Sequence, residues 1–231
     1  MPKQTQTDLI HRMDLRNAAL AQRLRRHKGA QRLLEGRLGK DGYCAYVAQS
    51  GCYVEHSSRF LMLTSKKMKR YPELAVHLYK KSLEEKNHHQ WCWSDLKRLG
   101  WTDRQVKGIQ PCPAVQGYLT YHEAAAKRGT PEIAGTAYCL ETLSGTNAGK
   151  VVERLVRNGR IEHIREATMY LSRHGDLDDG HSVELAEPLR AVDRSEWPHI
   201  LLAMDMVESL LIGIFDEVAR VEHRGPSAHP R

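Results

Sequence analysis

The sequence predicts an all-α protein. Three observations carry this: apolar residues recur at i, i+3, i+4 and i+7 along most of the chain, no segment sustains the alternation of a half-buried strand, and the breaks between periodic stretches fall at Pro and Gly. Seven to eight helices follow. The first covers Thr7 to Arg26 and the second Asp41 to Lys66, with Gly42 and Gly51 as irregularities inside it. A third runs unbroken from Pro72, suited to a first helical turn, to Leu99, where Gly100 supplies a C-terminal stop. The fourth begins after Pro111-Cys112-Pro113 and ends near Arg128. Thr130-Pro131 opens the fifth, with Thr130 as N-cap, and Ser144-Gly145 ends or kinks it. Val151 to Asn158 is a short piece, Ile161 to Arg190 one long helix, and Ser195 caps a last helix ending near Arg220.

The 231 residues read as one domain over 1–222, because no Ser-, Gly- or Pro-rich linker divides them, with a disordered tail at 223–231. Five Cys without any CxxC spacing, and an N-terminus without an apolar signal region, predict free thiols and a cytoplasmic location. The longest apolar stretch, Ile200 to Phe215, is interrupted by Asp205, Glu208 and Ser209 and reads as too short and too polar for a membrane span. It offers an apolar face to the core or to a second copy in a homodimer. The net charge of +7 gathers in two runs, Arg23 to Arg32 and Lys66 to Arg70. Neither has interleaved aromatics, so both read as solvated faces, without nucleic acid as partner; the surplus favours a small anionic substrate.

The chemistry concentrates in three stretches. In the first, His174, Asp178 and His181 stand at i, i+4 and i+7, which converge on one face of a helix. That face continues Ile164, Ala167 and Leu171 before it and Leu185 after it, so three ionisable groups point inward, where a divalent metal would make them tolerable. The competing reading is a solvated polar stretch, given Gly175, Asp176, Asp179 and Gly180 around it. In the second, Glu85 and His88 continue the stripe Leu74, Leu78 at i and i+3, the Glu-x-x-His arrangement of carboxylate-bridged di-iron bundles. Glu84 and His89 fall off that stripe. In the third, Glu141 is a lone carboxylate in the apolar run Ile133 to Leu143, either a metal ligand or the partner of an Arg or Lys from another helix. The same ligand set suits iron or manganese.

With these residues in hand, the chain resembles the haem-oxygenase-like di-iron oxidases. His174-x3-Asp178-x2-His181, Glu85-x2-His88 and Glu141 ahead of Leu-Ser-Gly carry the resemblance, which spans about Leu33 to Leu211 and is nearest the branch of the alkene-forming fatty-acid decarboxylase. It departs from the family pattern at Asn87, where Gly is common, at Trp91 and Trp93, where Leu is usual, and at Lys81 and Ser82, where relatives with a longer gap carry Glu. The resemblance implies a haem-oxygenase-like bundle and two Fe(II) ions. It further implies dioxygen as co-substrate, an external electron donor, and oxidation of a small organic or amino acid. Tyr118, Tyr121 and Tyr138 are candidates for the substrate pocket. Inward carboxylates and imidazoles argue against a porphyrin slot. The rival within the same superfamily is metal-independent: a thiaminase-like hydrolase or cofactor-free oxidase using Cys139 as nucleophile and Glu141 as acid–base group. A non-enzymatic binding module would leave the six inward ionisable residues unexplained.

Overall fold

A computed structural model describes residues 8–177 and 181–224, of which 176–177, 181–183 and 224 are described by backbone alone. Among the described residues the secondary structure is helical throughout, in eleven α-helices and two 3-10 turns. These are α1 (Leu9–Arg26), α2 (Lys28–Leu34), α3 (Lys40–Lys67), α4 (Pro72–Glu84), α5 (His89–Arg98), α6 (Asp103–Lys107), α7 (Pro113–Arg128), α8 (Glu132–Asn158), α9 (Met169–Leu177), α10 (His181–Arg190) and α11 (Trp197–Arg224).

Two long helices organise the bundle. α3 packs on α4, α5, α7 and α11, while α8 packs on α9, α10 and α11. The core between them holds Tyr43, Leu74, Leu78, Leu96, Ile200, Met204 and Leu210, each essentially without solvent exposure. Each such side chain stabilises the fold by roughly 1.5–3 kcal/mol relative to an exposed one. Close approach depends on small residues where helices cross: a Cβ on Gly29 would lie 2.3 Å from the Phe215 carbonyl oxygen, and one on Gly135 would lie 2.4 Å from that of Ile200.

Several boundaries differ from the sequence prediction, each for a local reason. The third helix is not continuous. It breaks at Glu85–His88 because Asn87 takes a left-handed φ of 71°, a conformation Asn tolerates better than most residues. Glu85 becomes the C-cap of α4 and His88 the N-cap of α5. The fifth helix, conversely, does not end at Ser144-Gly145 but runs on through the separate piece expected at Val151. There Thr142, Thr146 and Asn147 donate back to the carbonyls four residues earlier, keeping their polar groups inside the helix. The stretch Ile161 to Arg190 is divided: a 3-10 turn at Ile164–Glu166, entered through His163 at φ 61°, precedes α9, and α10 follows.

The last helix needs a correction of a different kind. Residues Arg194–His223 are long and apolar enough in composition to cross a membrane, contrary to the reading of Ile200 to Phe215. Half of the most apolar window is buried in the bundle, against α2, α3, α7 and α8, which is the environment of a core helix.

Candidate functional site

A cavity of about 190 Å³ lies inside the bundle. Its walls are mostly apolar, with Leu24, Leu33, Val54, Leu61, Ile133 and Phe215 among them, and they also carry Lys81, Glu85, Glu141 and His174. The break between α4 and α5 brings Glu85 and His88 together, with Glu85 Oε2 3.3 Å from His88 Nδ1. α9 adds His174, whose ring meets that of His88 edge-on at 5.3 Å. Donor atoms of Glu85, His88 and His174 all lie within 4.8 Å of one another. Trp91, a departure from the family pattern, stacks on His88 at 3.9 Å and meets His174 edge-on.

The tautomer of His174 is fixed by its surroundings. Its Nδ1 lies 2.9 Å from the carbonyl oxygen of Tyr170, which can only accept, so Nδ1 carries the proton and Nε2 keeps its lone pair. Burial pushes the Glu85 carboxyl up, but His88 Nδ1 at 3.3 Å and the Lys81 charge outweigh it, and its pKa lies below the ordinary value. An ionised carboxylate beside two imidazoles is the two-His, one-carboxylate set that suits a divalent transition metal. Bonds of about 2.1 Å place neighbouring ligands about 3 Å apart and opposite ones about 4.2 Å apart. The Glu85–His88 separation therefore suits neighbouring ligands of one ion.

Glu141 meets a cation. It is buried on α8, and its Oε1 lies 3.0 Å from Lys81 Nζ. A lysine from another helix was one of the two readings the sequence left open for Glu141, and this contact supplies it. Lys81 also approaches Glu85 Oε1 at 3.6 Å and the exposed Glu84 at 4.0 Å. Asp178 lies outside the described residues; His181 opens α10, and its side chain is outside them too.

Among the tyrosines, Tyr118 lines the cavity as expected and stacks on His122 at 3.8 Å. The other two are engaged elsewhere. Tyr121 donates to Glu132 at 2.8 Å and Tyr138 to Asp14 at 2.6 Å, both at packing contacts between helices. Tyr46, Tyr53 and Tyr170 line the cavity instead, with the last two hydroxyls 3.1 Å apart. Cys139 is buried, and burial, with Glu208 and Asp205 adding to it, pushes its thiol up to about 12. At neutral pH almost none of it is thiolate, so it is not an activated nucleophile.

Two further residues escaped the sequence reading. Asp95 on α5 is fully buried and accepts from the Met169 and Tyr170 backbone N–H groups, at 3.0 and 2.8 Å. It thus caps α9 and sets the turn that carries His174. Its spacing from Cys92 and Leu96 on one stripe was a usable signal. His122 is also buried, with Nδ1 2.9 Å from the Tyr118 carbonyl oxygen and Nε2 2.6 Å from the Thr136 hydroxyl. Burial lowers its pKa to about 4.

Comparison with known proteins bears on the fold alone. No protein-family model and no curated protein matches the chain. Solved structures do match over nearly its whole length. A domain of unknown function with a haem oxygenase-like fold from Shewanella denitrificans has a TM-score of 0.82 at 17% identity, covering 96% of this chain and 97% of that one. A TenA homologue from P. horikoshii has a TM-score of 0.71 at 16% identity, covering 92% and 99%. Another from Pseudomonas syringae pv. tomato has 0.69 at 14% identity, covering 92% and 93%. The protein therefore has a haem oxygenase-like all-α fold. That fold carries more than one chemistry, so function is argued from the site.

Proposed function

We propose that this protein is an enzyme that uses a divalent transition metal, iron(II) in the first place, to oxidise a small organic or amino acid with dioxygen, as in the di-iron oxidase branch it resembles. The observation that carries this reading is the convergence of Glu85, His88 and His174 within 4.8 Å on or beside a mostly apolar cavity. Asp178 and His181 are proposed as further ligands on their sequence spacing. Iron bound there would supply the one-electron chemistry with dioxygen that amino-acid side chains lack. The protein's own contributions are separate. Asp95 holds the first turn of α9, and the Tyr170 carbonyl holds the His174 proton on Nδ1, so that Nε2 is presented to the metal. Apolar walls exclude water from the substrate, and the Lys81 ammonium supplies a positive charge at the wall. An external electron donor and a reducing compartment, consistent with the five free thiols, belong to the same proposal.

The experiment is anaerobic loading with iron(II), followed by dioxygen uptake in the presence of carboxylic and amino acids. Uptake that depends on iron and is lost in His174→Ala is expected. Full turnover by chelator-treated, metal-free protein would defeat the reading.

A second reading is favoured by a specific observation, the buried Lys81–Glu141 pair on the cavity wall, and by the likeness to TenA homologues. It is a metal-independent hydrolase or oxidase in which Glu141 moves a proton at its carboxylate, assisted by Lys81. Cys139 with its raised thiol pKa fits that reading poorly as nucleophile. Chelator-resistant activity abolished by Glu141→Gln is its expected signature.

A further inference from the structure

We infer that the centre takes one metal ion, not two, and that the Lys81 ammonium stands where a second cation would bind; this deepens the metal reading above and rests on it. Helical register alone places Lys81 inside, since Leu74, Leu78, Lys81 and Ser82 form the buried face of α4. At 6% exposure it is buried, on the wall of the cavity. Its Nζ lies 3.0 Å from Glu141 Oε1 and 3.6 Å from Glu85 Oε1. The other oxygen of Glu85 faces His88 Nδ1 at 3.3 Å. Glu85 thus turns one oxygen to the imidazole pair and the other to the ammonium, as a carboxylate does when it bridges two cations. One of the two cation positions is filled by a charge attached to the chain.

Charge balance points the same way. One divalent ion with Lys81 brings three positive charges to Glu84, Glu85 and Glu141, the carboxylates that the described residues place within 4.0 Å of Nζ, which carry three negative ones. A second divalent ion would leave two positive charges unmatched in a water-poor site, beside an ammonium already in contact with Glu85 and Glu141. The residues that suit one ion therefore do not suit two while Lys81 keeps its charge.

The test uses manganese(II) alone on the full chain, with bound metal per chain counted after equilibrium dialysis and electron paramagnetic resonance recorded at saturation. Wild type is expected to retain one ion per chain with the six-line signal of an isolated ion. Lys81→Glu, which removes the cation and adds a ligand, is expected to retain two, with the signal attenuated by coupling. Lys81→Gln, closer in shape and charge-neutral, carries the same expectation of a second ion should Lys81→Glu fail to fold. Two ions per wild-type chain, or folded Lys81 variants that stay at one, would overturn the inference while leaving the metal reading intact. Wild type retaining no more manganese than His174→Ala would instead remove the metal reading itself.

Discussion

Two carboxylates on α8, nine residues apart, are both almost wholly buried and do opposite things. Glu132 is saturated by local donors: Arg128, Thr130 and Tyr121 all donate to it, at 2.6 to 3.0 Å. Burial raises its pKa, but those three partners more than offset it, and the carboxylate stays ionised. Glu141 meets a lysine from α4, a distant helix, on the wall of a cavity. The neighbouring imidazoles divide in the same way. Both ring nitrogens of His122 are occupied, one by a carbonyl and one by a hydroxyl, whereas His174 has one nitrogen anchored and the other left for a ligand. A buried ionisable group whose partners are all local stabilises the fold. One that faces a cavity, with a neighbour of matching chemistry from a distant segment, is where reactivity belongs.

The largest effect that would break this contrast is on metal binding. Removing a proposed ligand should outweigh the 10–100-fold losses typical of outer-shell changes. His174→Ala and Glu85→Gln are thus expected to lower manganese(II) affinity at least about 100-fold in calorimetric titration. Glu132→Gln should leave it within about twofold; a large loss there would erase the distinction between the two carboxylates.

Stability should respond in the reverse order. Glu132→Ala removes the acceptor shared by three donors, and breaking a buried pair is expected to destabilise by about 3 kcal/mol, at the lower end for such pairs because Arg128 is half-exposed. Urea unfolding measures it, and a loss under about 1 kcal/mol would contradict the caging role.

The third prediction concerns pH. Burial, only partly offset by the Tyr170 and Met169 N–H groups, raises the Asp95 pKa to about 6, so its contribution to stability is full below about 4 and lost as pH rises through 6. His122 is lowered to about 4, so its contribution is full above 6.5 and lost as pH falls through 4. Each shift corresponds to about 3 kcal/mol. The two slopes oppose one another between pH 4 and 6. Relative to wild type, Asp95→Asn should gain stability as pH rises across that window, and His122→Gln should gain it as pH falls. Parallel slopes for both variants would refute the assignment.

Smaller effects test the scaffold. Gly135→Ala would push a methyl to 2.4 Å from the Ile200 carbonyl oxygen and is expected to destabilise by about 2 kcal/mol through forced separation of α8 and α11. Asn87→Ala should lose about 1 kcal/mol, because Ala is strained at the left-handed φ of the turn, whereas Asn87→Gly should be close to neutral. An equal loss from Gly and Ala would mean that the Asn side chain, not its backbone, holds Glu85 and His88 together.

The helical class, the positions of α1, α3, α7 and α11, and the inward faces on which Glu85, His88 and His174 converge were legible because 3.6-residue periodicity reports which face is buried. The break at Asn87 was not, since a continuous periodic stripe runs across it and only the tertiary path demands the turn. Asp95 was missed although it lies on the inward stripe of α5, because its partners are backbone N–H groups some seventy residues away. Lys81 shows the limit most plainly. It was noticed in sequence as a departure from the family pattern, yet it reaches Glu141, sixty residues further on.

By itself, the sequence determined that this chain is helical and that carboxylates and imidazoles lie on buried faces, since both follow from local spacing. Only the tertiary structure decided which of those groups meet. It set His174 against His88, gave Glu141 to Lys81, and closed Glu132 within its own cage. Spacing fixes the direction a side chain takes from its helix axis, whereas charge pairing depends on distances between helices, and those are set by how the whole core packs.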